Sequence, residues 1–212
     1  MITQAISRKN RIRKYNLFLE KMKPSAMDKI LDVGYANKEY SPVDNFLEKS
    51  YPYPSNITAL GIEACDLFKQ HYPNIEVVRY DGKIFPFEDK QFDIGWSNAV
   101  IEHVGNEECQ IQFVKELCRT CKKVYFTTPN RYFPFEVHTR IPFLHWSPKK
   151  VFDKILSVTS KKWAAGDYMN LLSRKSLERI LQKSDLDVFA GGVALHRNKF
   201  FGFTMDFSVI IM

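Results

Sequence analysis

The chain has 212 residues, of which 45% are hydrophobic, so it is long enough for one well-packed domain and too short for two of ordinary size. It contains no apolar run of about 18 residues, which excludes a typical membrane-spanning helix. Its formal charge of +7 favours an anionic partner, such as a nucleic acid, a phosphate, a lipid headgroup or an acidic sugar.

The excess positive charge is concentrated in two short clusters. Neither cluster interleaves aromatic residues in the way typical of nucleic-acid-binding surfaces, so nucleic acid is an unfavoured partner. A solvated basic surface and a peripheral contact with a membrane both stay open. The clusters are Arg8, Lys9, Arg11, Arg13 and Lys14, and Lys149, Lys150, Lys154, Lys161 and Lys162.

The first residues and the cysteines indicate the compartment. The chain begins without the apolar core of a secretory signal. Its four cysteines form no evident disulfide framework, which is typical of a reduced, cytoplasmic protein. Cys118 and Cys121 make a CxxC motif, but a tetrahedral zinc site needs four ligands and no second pair is present. We therefore expect no metal and a cytoplasmic location.

In chain order, helical and β-rich segments alternate as far as Pro129. This alternation predicts parallel βαβ units in a Rossmann-like α/β fold, whose central, mostly parallel sheet has helices on both faces. An N-terminal helix within residues 1–24 comes first. The β-runs are predicted at 29–33, 57–63, 75–80, 92–97 and 123–128, and the helices at 7–22, 41–50, from 63 to 71, and 107–118.

The regular alternation ends after Pro129, and the rest of the chain is predicted as additions to the same domain. Residues 130–165 form an insertion on the acceptor side, with a short helix near 148–158. Ser173 is expected to cap a last helix whose Leu177, Ile180 and Leu181 face inward. Strands over 186–193 and 203–211 would complete a sheet of about seven strands in one domain spanning 1–212.

Polar residues follow the predicted strands, where α/β proteins bind ligands. In a parallel sheet this binding edge lies beyond the carboxyl ends of the strands, at the point where strand order reverses. A carboxylate after the second strand suits a ribose, because it can accept hydrogen bonds from both vicinal hydroxyls. The strands are followed by Asp32 and Gly34, by Glu63, by Asp81 and Gly82, and by Ser97 and Asn98.

Four segments together resemble a known family. ILDVG, ALGIE, RYDGKIFPFEDKQFDIGWSNAVIEHV and VYFTTPN resemble the motifs of class I S-adenosylmethionine-dependent methyltransferases, in the small-molecule, methyltransferase type 11-like branch. The resemblance covers residues 28–130, with a weaker match in LLSRKSLERILQKSDLDV. It implies S-adenosylmethionine as the cofactor and methyl transfer as the activity.

The resemblance also implies a role for each strand-end residue. Because the sulfonium supplies its own electrophile, such a protein chiefly aligns the acceptor atom with the methyl group and excludes water. Asp32 and Gly34 would line the methionine side of the cofactor, Glu63 would hold the ribose, Asp81 and the Gly82 backbone would face the adenine, and Ser97 and Asn98 would close the pocket near the methyl group.

The loop after the first strand departs from the family pattern. Where the family has G-x-G-x-G, this chain reads Gly34, Tyr35, Ala36, Asn37 and Lys38. Asparagine tolerates positive φ and can replace a glycine at a turn, and alanine adds little bulk, whereas tyrosine does not fit this pattern. A wider loop would weaken cofactor binding. A catalytically inactive binding protein with the methyltransferase fold is therefore an alternative.

Candidate residues for the acceptor side are less regular. His103 is a possible general base, and some relatives have a metal site at this Glu-His pair, but Ala99 stands where the further acid is needed. The segment 130–146 combines Arg131, Arg140 and Trp146, as acceptor-binding candidates, with His138 and His145, as catalytic candidates. Arginines suit a carboxylate, a phosphate or an acidic sugar, although solvated basic residues on a packed lid are the alternative.

We therefore expect a methyltransferase that acts on a small-molecule or glycan-like acceptor. Similar bacterial sequences accompany cell-surface polysaccharide synthesis, which by resemblance favours a glycan-like acceptor. An RNA methyltransferase that uses the two basic clusters is a further alternative, although the sequence contains no separate RNA-binding module. An NAD-dependent oxidoreductase is disfavoured because the chain lacks G-x-G-x-x-G.

Overall fold

The computed structural model describes residues 2–135, 141, 143–162, 165–166, 169–186 and 191–212. They form two compact units, and each unit is built from stretches that are separated along the chain. The first unit comprises Met1–Asn98, Glu116–Phe126 and Ile210–Met212, and the second comprises Ala99–Lys115 and Thr127–Val209.

Helices and strands alternate along the described chain much as the sequence predicts. The helices are α1 (Ile2–Met22), α2 (Phe46–Ser50), α3 (Asp66–His71), α4 (Glu107–Thr120), α5 (Lys149–Ser157) and α6 (Arg174–Lys183). The strands are β1 (Ile30–Val33), β2 (Ile57–Gly61), β3 (Glu76–Arg79), β4 (Phe92–Asn98), β5 (Cys121–Pro129), β6 (Val193–Phe200) and β7 (Phe203–Ile211).

The strands form one sheet of seven in the order β3-β2-β1-β4-β5-β7-β6. β1 pairs in parallel with β2 on one side and with β4 on the other, and β2 pairs in parallel with β3. The strand order therefore reverses at β1: β2 and β3 are added on one side of it, and β4 and β5 on the other. The sheet is mostly parallel and ends in one antiparallel hairpin, so the predicted Rossmann-like fold is confirmed.

Helix α1 packs on the sheet of the first unit through aromatic side chains. The Phe18 ring meets Trp96 edge to face at 4.8 Å between centroids, and Trp96 stacks on Tyr125 at 5.2 Å. The Tyr125 hydroxyl donates to the Lys14 carbonyl oxygen at 2.9 Å, so its buried polar end is satisfied. Across the described residues no helix is long and apolar enough to cross a membrane.

Two helix starts differ from the expectation. α1 begins at Ile2 instead of residue 7, and α2 begins at Phe46 instead of near residue 41. The Asp44 carboxylate does not cap α2, because it accepts from the backbone N–H groups of Tyr40 and Ser41 at 2.8 and 2.9 Å and closes a turn there. Asn45, in the left-handed conformation, directly precedes α2.

The last helix, β6 and β7 as far as Val209 lie in the second unit. Ser173 and Ser176 form the predicted cap of α6, with reciprocal side-chain to backbone hydrogen bonds, and the inward-facing residues Leu177, Ile180 and Leu181 are buried as expected. The strand expected over 186–193 falls largely on residues 187–190, which lie outside the described residues, and β6 begins at Val193.

The CxxC motif is part of the packing. The thiol of Cys121 lies against Gly95, where an added Cβ would come within 2.8 Å of the sulfur. Burial raises the pKa of Cys118 to about 11 and that of Cys121 to about 12, so both thiols are protonated at neutral pH. Reactive thiols have lowered pKa values, whereas burial raises the pKa of both thiols here.

The contact between Gly95 and Cys121 leads to a prediction about the free energy of unfolding. Gly95→Ala would press a methyl group against a buried sulfur, and we expect a loss of about 1–3 kcal/mol in the free energy of unfolding. Gly192→Ala is the matched control, because an added Cβ there meets nothing within 4 Å. Urea denaturation of the two variants measures the difference, and equal midpoints would contradict this account of the packing.

Candidate functional site

The candidate cofactor residues lie at the carboxyl ends of neighbouring strands in the first unit. In the parallel register Asp32 is level with Ala59 on β2 and with Trp96 on β4. Residues that follow these positions therefore reach the same edge of the sheet. The reversal of strand order between β1 and β4 makes this edge the expected ligand crevice.

Gly34 makes the tight turn after β1. Its φ of 107° lies in a region that side-chain-bearing residues rarely adopt. Its N–H donates to the Leu60 carbonyl oxygen at 2.8 Å, which holds the turn against β2. One glycine is therefore present where the backbone conformation requires it.

Tyr35 does not project into the loop, because its side chain is buried beside β2. The ring packs on Phe68 at 4.8 Å between centroids, and its hydroxyl donates to the Glu63 carbonyl oxygen at 2.9 Å. A Cβ on Gly61 would lie 2.6 Å from the Tyr35 ring, so Gly61 provides the space for it. Burial raises the pKa of Tyr35 to about 12, which keeps the phenol neutral.

Side-chain amides hold the next two residues of the loop. The Asn45 amide brackets the Ala36 backbone, accepting from its N–H at 2.8 Å and donating to its carbonyl oxygen at 2.9 Å. Asn37 Oδ1 accepts from the N–H groups of Leu67 and Phe68 at 3.0 and 3.1 Å, which caps α3. Asn37 does not adopt positive φ, so the expectation that it replaces a glycine at a turn is wrong.

Glu63 stands exposed beside this loop, just after β2. Its Oε2 lies 3.5 Å from the Asn37 nitrogen, a long contact that leaves the carboxylate free to accept further hydrogen bonds. A carboxylate in this position can accept hydrogen bonds from both vicinal hydroxyls of a ribose.

The turn after β3 presents an open backbone next to an apolar side chain. Asp81 accepts from the Lys83 N–H at 3.0 Å, and Gly82 has a φ of 84°. A Cβ on Gly82 would sit 3.6 Å from Ile62, whose side chain is 60% exposed. A flat apolar group such as adenine could be covered by Ile62, a residue that sequence reasoning missed. The sequence signal that could have identified it is its position, because Ile62 directly precedes the acid Glu63 just after β2.

Two predicted residues are tied into the sheet itself. Ser97 is buried and its hydroxyl donates to the Val33 carbonyl oxygen at 2.9 Å, which joins β4 to β1. Asn98, the last residue of β4, is half-buried. The Ser97 hydroxyl is thus used within the protein, and contacts to a cofactor from this residue would come from its backbone.

Asp32 is a buried residue of β1, in the first unit. Burial raises the pKa of its carboxyl group well above the ordinary value, the negative charge of Glu48 raises it further, and Arg11 opposes the shift. The neutral acid is thereby favoured at this position. The predicted role of Asp32 at the methionine side of the cofactor stays a prediction.

The second unit contains a cavity of about 400 Å³ that includes two of the predicted acceptor-side residues, Arg131 and His145. His145 is buried, and its Nε2 lies 2.7 Å from the Phe133 carbonyl oxygen. Because a carbonyl only accepts, Nε2 carries the proton and Nδ1 is the basic nitrogen.

The remaining candidates are placed differently. His103 is half-buried in a short 3-10 turn, with Nε2 3.9 Å from Glu102 Oε1, and Trp146 packs on Phe143 at 4.8 Å between ring centroids. Neither is among the described residues that line the cavity. His138 and Arg140 lie outside the described residues. No group of three potential metal ligands occurs in the part of the chain that the structure describes.

Comparisons with known proteins give one family match and a set of similar folds. Residues 41–124 match a family model described as a methyltransferase domain. No curated protein sequence matches the chain. Together with the solved structures described next, the family match confirms the resemblance to class I S-adenosylmethionine-dependent methyltransferases and implies S-adenosylmethionine as the cofactor.

Three solved structures illustrate the similarity. A methyltransferase from Methanosarcina mazei is 14% identical with a TM-score of 0.55, covering 89% of this chain and 92% of that one. One from Aquifex aeolicus is 15% identical with a TM-score of 0.53, covering 93% and 88%. One from Mesorhizobium loti is 15% identical with a TM-score of 0.56, covering 91% and 94%. At these identities the similarity shows the fold alone.

The cap on α3 can be tested by removing its acceptor. Asn37→Ala leaves two N–H groups without their partner, and we expect a loss of about 1 kcal/mol in the free energy of unfolding. Asn37→Asp keeps an acceptor oxygen and should recover most of it. Asn74→Ala, at an exposed asparagine, is the control. Chemical denaturation compares the three, and an unchanged Asn37→Ala midpoint would refute the capping role.

The buried carboxyl of Asp32 predicts a pH dependence of stability. Since its folded pKa lies above the ordinary value of 3.8, the folded state retains a proton that the unfolded state releases, and stability is lost as pH rises through the folded pKa. Asp32→Asn should gain stability relative to the unaltered protein as pH rises from about 4 to about 8. Asp185→Asn, at an exposed site, should show no such trend. A pH-independent difference for Asp32→Asn would contradict the shift.

Proposed function

We propose that this chain, which has the fold and the domain match of a class I S-adenosylmethionine-dependent methyltransferase, transfers a methyl group to a small-molecule or glycan-like acceptor. The first unit would hold the cofactor at the ends of β1, β2 and β3. The cavity of the second unit would take the acceptor.

The exposed carboxylate of Glu63 carries the proposal. It stands at the end of β2, next to a loop whose conformation is already set, and it has unused acceptor capacity. Two vicinal hydroxyls on a ribose match this capacity, because a carboxylate can accept two hydrogen bonds side by side. The open Gly82 backbone and the exposed Ile62 side chain nearby suit an adenine ring.

The loop after β1 supports retained cofactor binding over the inactive alternative. Its backbone is held by Asn45 and Asn37, and the bulk of Tyr35 is accommodated by Gly61. A conformation fixed by side-chain hydrogen bonds is organised before the ligand arrives, so binding does not have to order it. The missing glycines therefore do not by themselves imply an open or mobile loop.

The cofactor would supply a methyl group on a positively charged sulfur, which is reactive without an added acid. The protein's part would be to bind, orient and exclude water. An acceptor that must lose a proton also needs a base, and His145, a residue that lines the cavity, is the group that we propose for it. His103 stays a second candidate for this proton.

Glu63 provides the test of cofactor binding. Glu63→Gln weakens one or two charge-assisted hydrogen bonds to the ribose, and we expect about 10-fold or greater loss of affinity for S-adenosylhomocysteine. Glu108→Gln, which removes an exposed carboxylate on α4, is the matched control and should bind as the unaltered protein does. Titration calorimetry measures all three.

Two results would contradict the proposal. Absence of S-adenosylhomocysteine binding to the unaltered protein at millimolar concentration would refute the cofactor. Equal affinities for Glu63→Gln and Glu108→Gln would refute the assignment of Glu63 to the ribose while leaving the cofactor intact.

A further inference from the structure

The cavity of the second unit has an excess of positive charge. Of the described residues that line it, four carry basic side chains and one, Glu107, carries a carboxylate. They come from three separate parts of the chain, the segment after β5, the start of α5 and the first turns of α6. The four basic residues are Arg131, Lys149, Lys175 and Arg179.

Two of these charges already pair with carboxylates of the protein, and one of those carboxylates, Glu107, also pairs with Lys183. Arg179 forms an ion pair with Glu107, with Nε 3.1 Å from each carboxylate oxygen. Lys149 pairs with Asp153 at 2.6 Å, one helical turn along α5, and also donates to the Gly166 carbonyl oxygen. These two cations shape the wall of the cavity, and little of their charge is left for a ligand.

The other two charges have no counterion among the described residues. Within the described chain, the Arg131 guanidinium makes one long contact, from Nη2 to the Ser147 carbonyl oxygen at 3.4 Å. Lys175 is exposed on the first turn of α6 and forms no ion pair with any carboxylate that the structure describes. Among the described residues, these two positive charges of the cavity have no carboxylate partner, and they match an anionic group such as a phosphate or a carboxylate.

A buried amide adds a second type of contact. Gln110 lines the cavity and is 2% exposed. Both of its amide hydrogens are used, in bonds from Nε2 to the Ile101 and Asn170 carbonyl oxygens at 3.2 and 3.0 Å. Its Oε1 accepts from no donor in the described chain, so it is left to accept from a ligand hydroxyl.

Buried apolar side chains complete the lining. Phe152, Met169 and Leu172 are each at most 4% exposed and all three border the cavity. An apolar lining with a few polar groups at fixed positions is typical of a small-molecule site. The cavity volume of about 400 Å³ suits a ligand of sugar size.

We propose that the methyl acceptor is a hydroxylated molecule that carries an anionic group, a sugar phosphate or a sugar acid, held by Arg131 and Lys175 at the anion and by Gln110 at a hydroxyl. The proposal rests on the proposed function, because it takes this cavity as the acceptor site. The proposal predicts that the anionic sugar binds this cavity both with and without the cofactor.

Three simple sugars test the charge requirement. Glucose 6-phosphate and glucuronate are the phosphate and carboxylate probes, and uncharged glucose is the control ligand. Titration calorimetry or ligand-observed magnetic resonance on the full chain should detect one or both anionic sugars and weaker or no binding of glucose. Binding of one anionic sugar only also supports the proposal and identifies the anion. Equal binding of all three sugars, or binding of none at millimolar concentration, would overturn it.

Matched variants test the assignment to this cavity. Arg131→Gln and Lys175→Gln should each weaken binding of the anionic sugar by about tenfold, since each removes a charge-assisted contact. Lys150→Gln removes an exposed charge on α5 that is not among the described residues lining the cavity, and should have no effect. Unchanged affinity in both cavity variants, with unaltered melting temperatures, would refute the site.

S-adenosylhomocysteine binding, measured on the same samples, separates the two proposals. The cavity variants should bind it as the unaltered protein does, because Glu63 is intact. Loss of cofactor binding in the unaltered protein, with anionic sugar binding retained, would refute the methyltransferase proposal and leave the anion site. The opposite result would refute the anion site and leave the methyltransferase proposal.

Discussion

The parallel pairing of β1 with both β2 and β4 is the constraint on which the candidate cofactor site depends. Residues that are far apart in the sequence reach one edge of the sheet because their strands end at the same level. Gly34 turns the chain at that edge, and Glu63 and Gly82 follow the neighbouring strands. The aromatic packing of α1 on Trp96 supports this arrangement from one face of the sheet.

The loop after β1 shows how side chains can replace glycine in shaping a ligand loop. A glycine-rich loop approaches a ligand closely because it lacks side chains, and it must be ordered by its neighbours or by the ligand. Here Asn45 and Asn37 order the backbone through hydrogen bonds of 2.8 to 3.1 Å. The Tyr35 ring is removed from the loop by burial against Gly61, so the glycine that accommodates it lies on another strand.

The two units distribute charge differently around their candidate sites. The first presents an exposed carboxylate at Glu63, which suits hydroxyl groups, and it keeps the Asp32 carboxyl group buried, where the neutral form is favoured. The second has a cavity with an apolar lining, where two cations have no carboxylate partner in the part of the chain that the structure describes. These features suit the nucleoside and the anionic sugar that we propose as the respective ligands.

Local patterns were sufficient for the element types. The β-rich runs predicted β1 to β5, and Ser173 with the spacing of Leu177, Ile180 and Leu181 predicted α6 and its buried face. The start of α2 was not predictable in the same way. The Asp44 side chain is suited both to capping a helix and to closing a turn, and the local sequence does not determine which of the two it does. In the structure it closes a turn by accepting from the backbone of Tyr40 and Ser41.

The sequence by itself determined the alternating α/β order and the polar residues at the strand ends, because both follow from periodicity along the chain. Only the tertiary structure decided that Tyr35 is buried, that Asn37 caps α3, and that Ile62 faces the Gly82 turn. It also joined Lys175 of α6 to Arg131 in one cavity. These are contacts between residues distant in sequence, and their partners are set by strand order and helix packing, which no local pattern records.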